Sequence, residues 1–160
     1  MSTKARGDKM SWRDEEAPLI DEDEFMRGYV EGELKNYYLY LYKWHLLERE
    51  QRSLSCSTGG SIIRMSNGVS DGKSPQDRFM MKSAALEELQ APFEEKMDRI
   101  DKWISVLPEK YYDVAKLYTM RNRGEGSKKV GWEMDIGEEL VRKRAERAIS
   151  QICSKNSNIL

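Results

Sequence analysis

The chain has 160 residues, a net charge of −1 and 34% charged residues, a size that suits one domain or two small ones. No apolar run approaches the roughly 20 residues that a membrane-spanning helix needs, and the N-terminus lacks the hydrophobic core of a signal peptide. With one His, two widely separated Cys and no Ser/His/Asp arrangement, the sequence predicts no metal, no cofactor and no enzyme. It favours a cytoplasmic protein.

The charge is unevenly distributed along the chain. Residues 1–108 carry 16 Lys and Arg against 20 Asp and Glu, and residues 109–160 carry 11 against 8. This asymmetry indicates two functional halves, although it is too mild to show nucleic-acid binding alone. Leu, Glu, Lys, Arg and Met favour helix over sheet, so the predicted fold class is all-α.

The first predicted elements are an acidic tail and a helix. Residues 1–23 offer little apolar surface to bury and are predicted to be a disordered tail. From Glu24 to about Arg52, apolar residues recur three and four positions apart and predict an amphipathic helix. This stripe consists of Val30, Leu34, Tyr38, Leu41 and Trp44.

A second helix is predicted after a loop. Residues 53–75 are rich in Ser and Gly and predict a flexible loop. Its stretch "GGSIIRMSNG" lacks the lysine and the following helix of a phosphate-binding loop. Residues 76–107 carry a heptad seam of Leu86, Leu89, Phe93, Met97, Ile100, Ile104 and Leu107. The seam predicts either an antiparallel helical hairpin over residues 24–107 or a coiled-coil homodimer through residues 24–52 and 76–107. Pro92 predicts a kink or a break near Gln90–Pro92.

The C-terminal part, residues 108–153, has the pattern of a helix-turn-helix domain, followed by a tail over residues 154–160. Pro108 suits a first helical position, and "RNRGEGS" ends that helix. Ser127 can cap a short helix that ends at the turn "DIG". Gly131 is the small residue that lets the two helices cross closely, with Met134 and Ile136 on either side of the turn. The second helix has a buried stripe of Val141, Ala145, Ala148, Ile149 and Ile152.

The run "LPEKYYDVAKLY … KVGWEMDIGEELVRKRAERAI" is similar to region four of bacterial sigma factors. The preceding "EGELKNYY", Ser/Gly-rich loop and charged helix running into "LP" resemble phage late-transcription regulators of the RinA/ArpU type, over roughly residues 27–152. The resemblance implies a DNA-binding activator of phage late genes that acts with host RNA polymerase. It places Arg142, Lys143 and Glu139 at DNA-contacting positions. At Glu138 the chain departs from the family, which commonly has a basic residue there.

Groove chemistry assigns roles to these side chains. Arg142 suits a bidentate contact to guanine, and Glu139 can accept from cytosine N4. Positive side chains around the unit would contact phosphates, which orient the protein without reading sequence. The predicted base contacts are Glu138, Glu139, Arg142 and Lys143, and the predicted phosphate contacts are Arg121, Arg123, Ser127, Lys128, Lys129 and Arg147.

Two other interpretations remain open from the sequence. Small-terminase DNA-packaging proteins also join a helix-turn-helix to helical oligomerisation segments, but they form rings. A protein that binds RNA polymerase without reading DNA would also fit the small net charge. One helix-turn-helix reads only a few base pairs, so useful affinity is expected to need a dimer or help from polymerase.

Overall fold

The computed structural model describes residues 19–60 (side chains to 55), 74–121, 126–156 and 159. All regular structure in these ranges is helical, which confirms the all-α prediction. None of the described helices is long and apolar enough to cross a membrane. The elements are α1 (Glu22–Gly60), α2 (Pro75–Ser105), α3 (Glu109–Val114), a π-helical segment (Ala115–Met120), α4 (Ser127–Met134) and α5 (Glu138–Lys155).

Helices α1 and α2 pack against each other as an antiparallel hairpin. Side-chain hydrogen bonds join them along their length, among them those from Arg99 to the Tyr29 hydroxyl (3.1 Å), from Trp44 to Glu94 (2.7 Å) and from Gln51 to the carbonyl of Ser83 (3.5 Å). The residue numbers rise along α1 as they fall along α2, so the two helices run in opposite directions. The hairpin predicted from the apolar spacing is therefore present.

The predicted loop at residues 53–75 is wrong at its N-terminal end, because α1 continues to Gly60. Ser55 donates its hydroxyl to the carbonyl of Gln51 (3.2 Å) within the helix rather than ending it. At the other end, Ser74 caps α2 in a reciprocal pair of hydrogen bonds with Asp77, and Pro75 takes the first helical position. Residues 61–73 lie outside the described residues.

The apolar register of α2 differs from the predicted seam at one point, and the helix does not break. Leu89 is 57% exposed, whereas Gln90 is 6% exposed and donates to the carbonyl of Trp44 (3.3 Å). The hydrogen bond satisfies the buried amide N–H, so a polar residue can occupy this place in the interface. Pro92 lies within the continuous α2. Both Pro92 and Glu88, whose carbonyl loses its helical donor, are exposed, so water can satisfy that carbonyl.

One hydrophobic core joins the hairpin to the C-terminal helices, across the predicted domain boundary at residue 108. Its fully buried members include Val30 and Leu34 of α1, Ile100 of α2 and Ile152 of α5. The predicted tail from residue 154 begins inside α5, and Ile159 is buried in the same core. The two predicted units are thus packed as one body.

The segment after α3 winds more widely than an α-helix. The N–H of Arg121 donates to the carbonyl of Lys116 (3.1 Å), five residues back, which is the π-helical spacing. Thr119 and Met120 of this segment are buried, as are Val114 and Ala115, while Leu117 and Tyr118 are half-buried. Pro108 lies one position before the helix as its N-cap, not at the first helical position.

Burial of Tyr37, together with the charge of Asp101 and a hydrogen bond to it, raises the pKa of this tyrosine from 10.0 to about 12. The folded protein therefore holds the phenol proton more tightly than the unfolded chain does. This stabilisation is complete below about pH 10 and is lost as the pH rises towards 12. We expect Tyr37→Phe to flatten the fall in unfolding free energy over that window, measured by urea unfolding at several pH values. A variant that keeps the full wild-type slope would contradict the assignment.

Candidate nucleic-acid interface

Helices α4 and α5 are joined by three residues, 135–137, and approach each other most closely at Gly131. A Cβ atom added at Gly131 would lie 2.7 Å from the backbone carbonyl oxygen of Ile136 and 3.5 Å from the backbone nitrogen of Glu138. Real Cβ atoms do not come this close to backbone, so only glycine fits here. The helix-turn-helix pattern predicts that Gly131 lets the two helices cross closely, and its short distance to the carbonyl of Ile136 explains why.

The turn is fixed by backbone hydrogen bonds and one left-handed residue. The N–H of Ile136 donates to the carbonyl of Gly131 (2.9 Å), and Asp135 adopts φ 56° and ψ 43°. This pattern ends a helix by satisfying its last carbonyls, and glycine usually occupies the left-handed position. Asp135 is the only residue other than glycine with positive φ in the described ranges.

Replacing Asp135 tests this strain. Because glycine adopts the left-handed conformation without a Cβ penalty, we expect Asp135→Gly to raise the free energy of unfolding by about 0.5 kcal/mol. Asp135→Val should lower it by about 1 kcal/mol or more, since a β-branched residue is strained at positive φ. Thermal unfolding of the two variants measures the difference. Equal stability would mean that the turn relaxes to another conformation.

A small apolar cluster holds α4 and α5 on the segment before them. Val114, Val130, Val141 and Ala145 are buried in it, and Met134 and Ile136 pack against its edge. The predicted buried stripe of α5 is confirmed, since Ala148, Ile149 and Ile152 are also buried. With this stripe inside, the charged residues of α5 face outward.

The first turn of α5 carries a three-way polar contact. One carboxylate oxygen of Glu138, Oε1, accepts from the Ser127 hydroxyl (2.8 Å) and from the Arg142 guanidinium (2.7 Å). Glu138 thus ties α4 to α5 and orients Arg142. The residue that departs from the sigma-factor pattern has a local structural role in this chain.

Ser127 differs from its prediction. It is the first residue of α4 rather than its cap, which is Gly126, and it is only 4% exposed. Its hydroxyl donates to Glu138, so the side chain neither caps the helix nor lies on the surface as the predicted phosphate contact requires. The sequence could not show this because the partner carboxylate is eleven residues away.

The other predicted base-contact residues lie on the same exposed part of α5. Lys143 Nζ is 3.4 Å from Glu139 Oε1, an ion pair that parallels the one between Arg142 and Glu138. All four side chains therefore lie within the first two turns of α5. Exposed pairs of this kind contribute at most about 1 kcal/mol each, so a stronger anionic partner can displace the carboxylates.

The predicted phosphate-contact residues surround this region. Lys128 and Lys129 are exposed on the first turn of α4, and Arg121 is exposed just after the π-helical segment. Arg147 is exposed further along α5 and lines a groove with Arg27 of α1. Arg123 lies outside the described residues.

Helix α1 forms a flank of the site that sequence reasoning missed. A polar groove of about 250 Å³ is lined by Arg142 and Glu146 of α5 together with Glu31 and Lys35 of α1. Glu31 and Lys35 pair with each other at 2.6 Å. Because Lys35 and Arg142 are more than 100 residues apart in the sequence, no local pattern could place them together. Further along, burial raises the pKa of the Cys153 thiol, and the nearby Arg27 opposes this shift.

Trp132 stands out on the surface of α4, where its side chain is 83% exposed. An exposed tryptophan offers a large, rigid apolar surface of the kind that is enriched in protein interfaces. The site therefore combines a charged α5 face with one apolar side chain on α4.

Comparisons of the chain with protein-family models, with curated proteins and with solved structures found no match.

Proposed function

We propose that this protein is a sequence-specific DNA-binding transcriptional regulator, an activator of phage late genes that acts in the bacterial cytoplasm with host RNA polymerase. The observation that carries the proposal is the close crossing at Gly131, where a short helix, a three-residue turn and a longer charged helix are locked together. Such a unit holds the start of its second helix outward for the major groove. The resemblance to sigma region four supports the same use.

In this proposal, DNA displaces the carboxylates that now hold the basic side chains. Arg142 leaves Glu138 to make a bidentate contact with guanine, and Lys143 leaves Glu139 to reach a base edge or a phosphate. Lys128 and Lys129 contact the backbone beside the groove and fix the orientation. The acidic partners lower affinity for arbitrary DNA, so binding depends on the correct base contacts.

The test is selection of bound duplexes from a random-sequence pool, followed by affinity measurement on the selected site. We expect wild type to enrich one motif. Arg142→Ala/Lys143→Ala should weaken binding to it by at least about tenfold, because a good bidentate contact contributes roughly 1–3 kcal/mol.

The matched control is Arg49→Ala/Lys102→Ala, which removes the same charges from exposed positions on α1 and α2. It should bind the selected site like wild type. If both double variants lose the same affinity, binding is general electrostatic attraction and not sequence reading. If no motif is enriched with polymerase present or absent, the proposed function is wrong.

A second function is favoured by Trp132. An exposed tryptophan suits a protein partner better than a phosphate backbone. The alternative is a protein that binds RNA polymerase without reading DNA. Polymerase binding that survives Arg142→Ala/Lys143→Ala but is lost in Trp132→Ala would support it. A small-terminase-like packaging role would instead require a ring of many subunits.

A further inference from the structure

The hairpin has an open groove at the end far from α4 and α5. Its volume is about 440 Å³, and it is lined by Glu50, Ser53 and Leu54 of α1 and by Lys82, Ala85 and Leu86 of α2. The shared core is built at the opposite end of the hairpin, around Val30, Leu34 and Ile100. The distal end therefore has apolar surface that the other described residues do not cover.

The apolar surface continues along the same side of the hairpin. Residues seven apart lie on nearly the same side of a helix, so Leu46 aligns with Ser53, and Leu89 aligns with Lys82. Leu46 is exposed, and Leu89 is the predicted seam residue that the structure places outside the hairpin interface. Two helices that lie side by side and share an apolar side can pack against a second such pair.

The charges on the two sides of the groove are opposite. Glu50 lies on the α1 side and Lys82 on the α2 side, and both line the groove. They lie within about 3 Å of each other along the hairpin axis, one on either side of the hydrogen bond between Gln51 and Ser83. A two-fold axis parallel to the groove would place α1 of one copy over α2 of the other. Glu50 of each copy would then face Lys82 of its partner.

We propose that this groove is a homodimer interface, in which two hairpins form a four-helix bundle. The occupant is a second copy of this chain, because the groove is self-complementary in charge under a two-fold rotation. Every neighbouring pair of helices in the bundle is antiparallel, which is a common arrangement of four-helix bundles. Both α5 helices then lie at the same end of the dimer.

The dimer deepens the proposed function without depending on it. Two α5 helices at one end could address two half-sites, which would supply the affinity that one reading helix lacks. The oligomeric state itself is measured without DNA. Failure of the dimer and failure of DNA reading are therefore separate results.

The test is a charge exchange across the interface, read by sedimentation equilibrium of the full chain. We expect wild type to dimerise with a dissociation constant below about 100 µM. Glu50→Lys should raise that constant at least about tenfold, because two attractive pairs become two repulsive ones. Glu50→Lys/Lys82→Glu should restore wild-type association, since the same pairs form with exchanged signs.

Replacing two exposed apolar residues of α2 by glutamate, one at a time, provides a test and its matched control. Leu89→Glu places a charge on the groove side and should abolish dimerisation. Met80→Glu places the same charge at a position that is similarly exposed (61%), but two residues from Lys82 and hence on the other side of α2. It should leave association unchanged. Circular dichroism checks that each variant keeps its helix content.

Three outcomes would overturn the proposal. The first is a wild-type chain that stays monomeric at about 100 µM, or that assembles into a larger ring. The second is a charge-exchanged double variant that dimerises no better than Glu50→Lys. The third is Met80→Glu weakening association as much as Leu89→Glu.

Discussion

Gly131→Ala is expected to destabilise the protein by about 2 kcal/mol and to lower Tm by roughly 4–8 °C. In an ordinary helix this substitution would be favourable by up to about 1 kcal/mol, because alanine has the higher helix propensity. Here the new Cβ atom would lie 2.7 Å from the carbonyl oxygen of Ile136. That oxygen belongs to the turn backbone and cannot rotate away as a side chain could. The clash is relieved only if α4 and α5 move apart.

The matched control is Gly137→Ala, in the same turn. Gly137 has φ −68° and ψ 149°, which any residue adopts, and an added Cβ would have no atom within 4 Å. We expect its stability to stay within about 0.5 kcal/mol of wild type. Urea unfolding of the two variants side by side checks the difference. If Gly131→Ala is as stable as Gly137→Ala, the close crossing does not constrain the turn.

The same pair of variants bears on the proposed function. Separation of α4 from α5 would change the angle at which α5 leaves the turn, and it would break the contact between Ser127 and Glu138. We therefore expect Gly131→Ala to bind the selected DNA site more weakly than Gly137→Ala, even at a temperature where both are folded. Loss of DNA affinity in both variants alike would argue against this link.

Local patterns predicted much of the C-terminal half correctly. The buried stripe of α5 follows from the helical period alone, because all its members lie on one side of a single helix. Gly131 was identified from its position three residues before the end of α4. Its spatial neighbour, Ile136, is only five residues away, so a sequence pattern contains both partners.

Contacts between distant segments account for the differences. Gln90 rather than Leu89 lies in the hairpin interface, because its side-chain amide donates to the carbonyl of Trp44, 46 residues away. The extension of α1 to Gly60 runs against the local preference of Ser and Gly for turns. The flank that α1 forms beside Arg142 depends on the shared core. The spacing of apolar residues within one segment cannot predict these contacts between distant segments.

Because α1, α2 and α5 share one core, the stabilities of the two halves are coupled, which their difference in charge does not indicate. The sequence suggested a hairpin and a separate reading domain, whose stabilities would be independent. Instead, Ile152 of α5 is buried in the same cluster as Leu34 of α1 and Ile100 of α2. A loss of packing in α5 should therefore also destabilise the hairpin.

We expect Ile152→Ala to lower the free energy of unfolding by about 2–5 kcal/mol, the usual range for removing a buried isoleucine side chain. Ile152 is fully buried, so the cavity cannot be filled by water at the surface. Because one core joins both halves, unfolding should remain a single transition. Far-ultraviolet circular dichroism, dominated by α1 and α2, and the loss of the native NMR amide signals of α5 should then report the same midpoint.

The matched control is Leu140→Ala, on the same helix and of similar volume. Leu140 is 38% exposed, so its truncation should cost less than about 1 kcal/mol. Two separated midpoints in Ile152→Ala, with the helix signal of the hairpin unchanged, would show that the halves fold independently. A single lowered midpoint would mean that α5 and the hairpin stabilise each other. Sequence changes in the hairpin core would then alter DNA binding through stability alone, so variants of the proposed interface must be compared at equal fractions of folded protein.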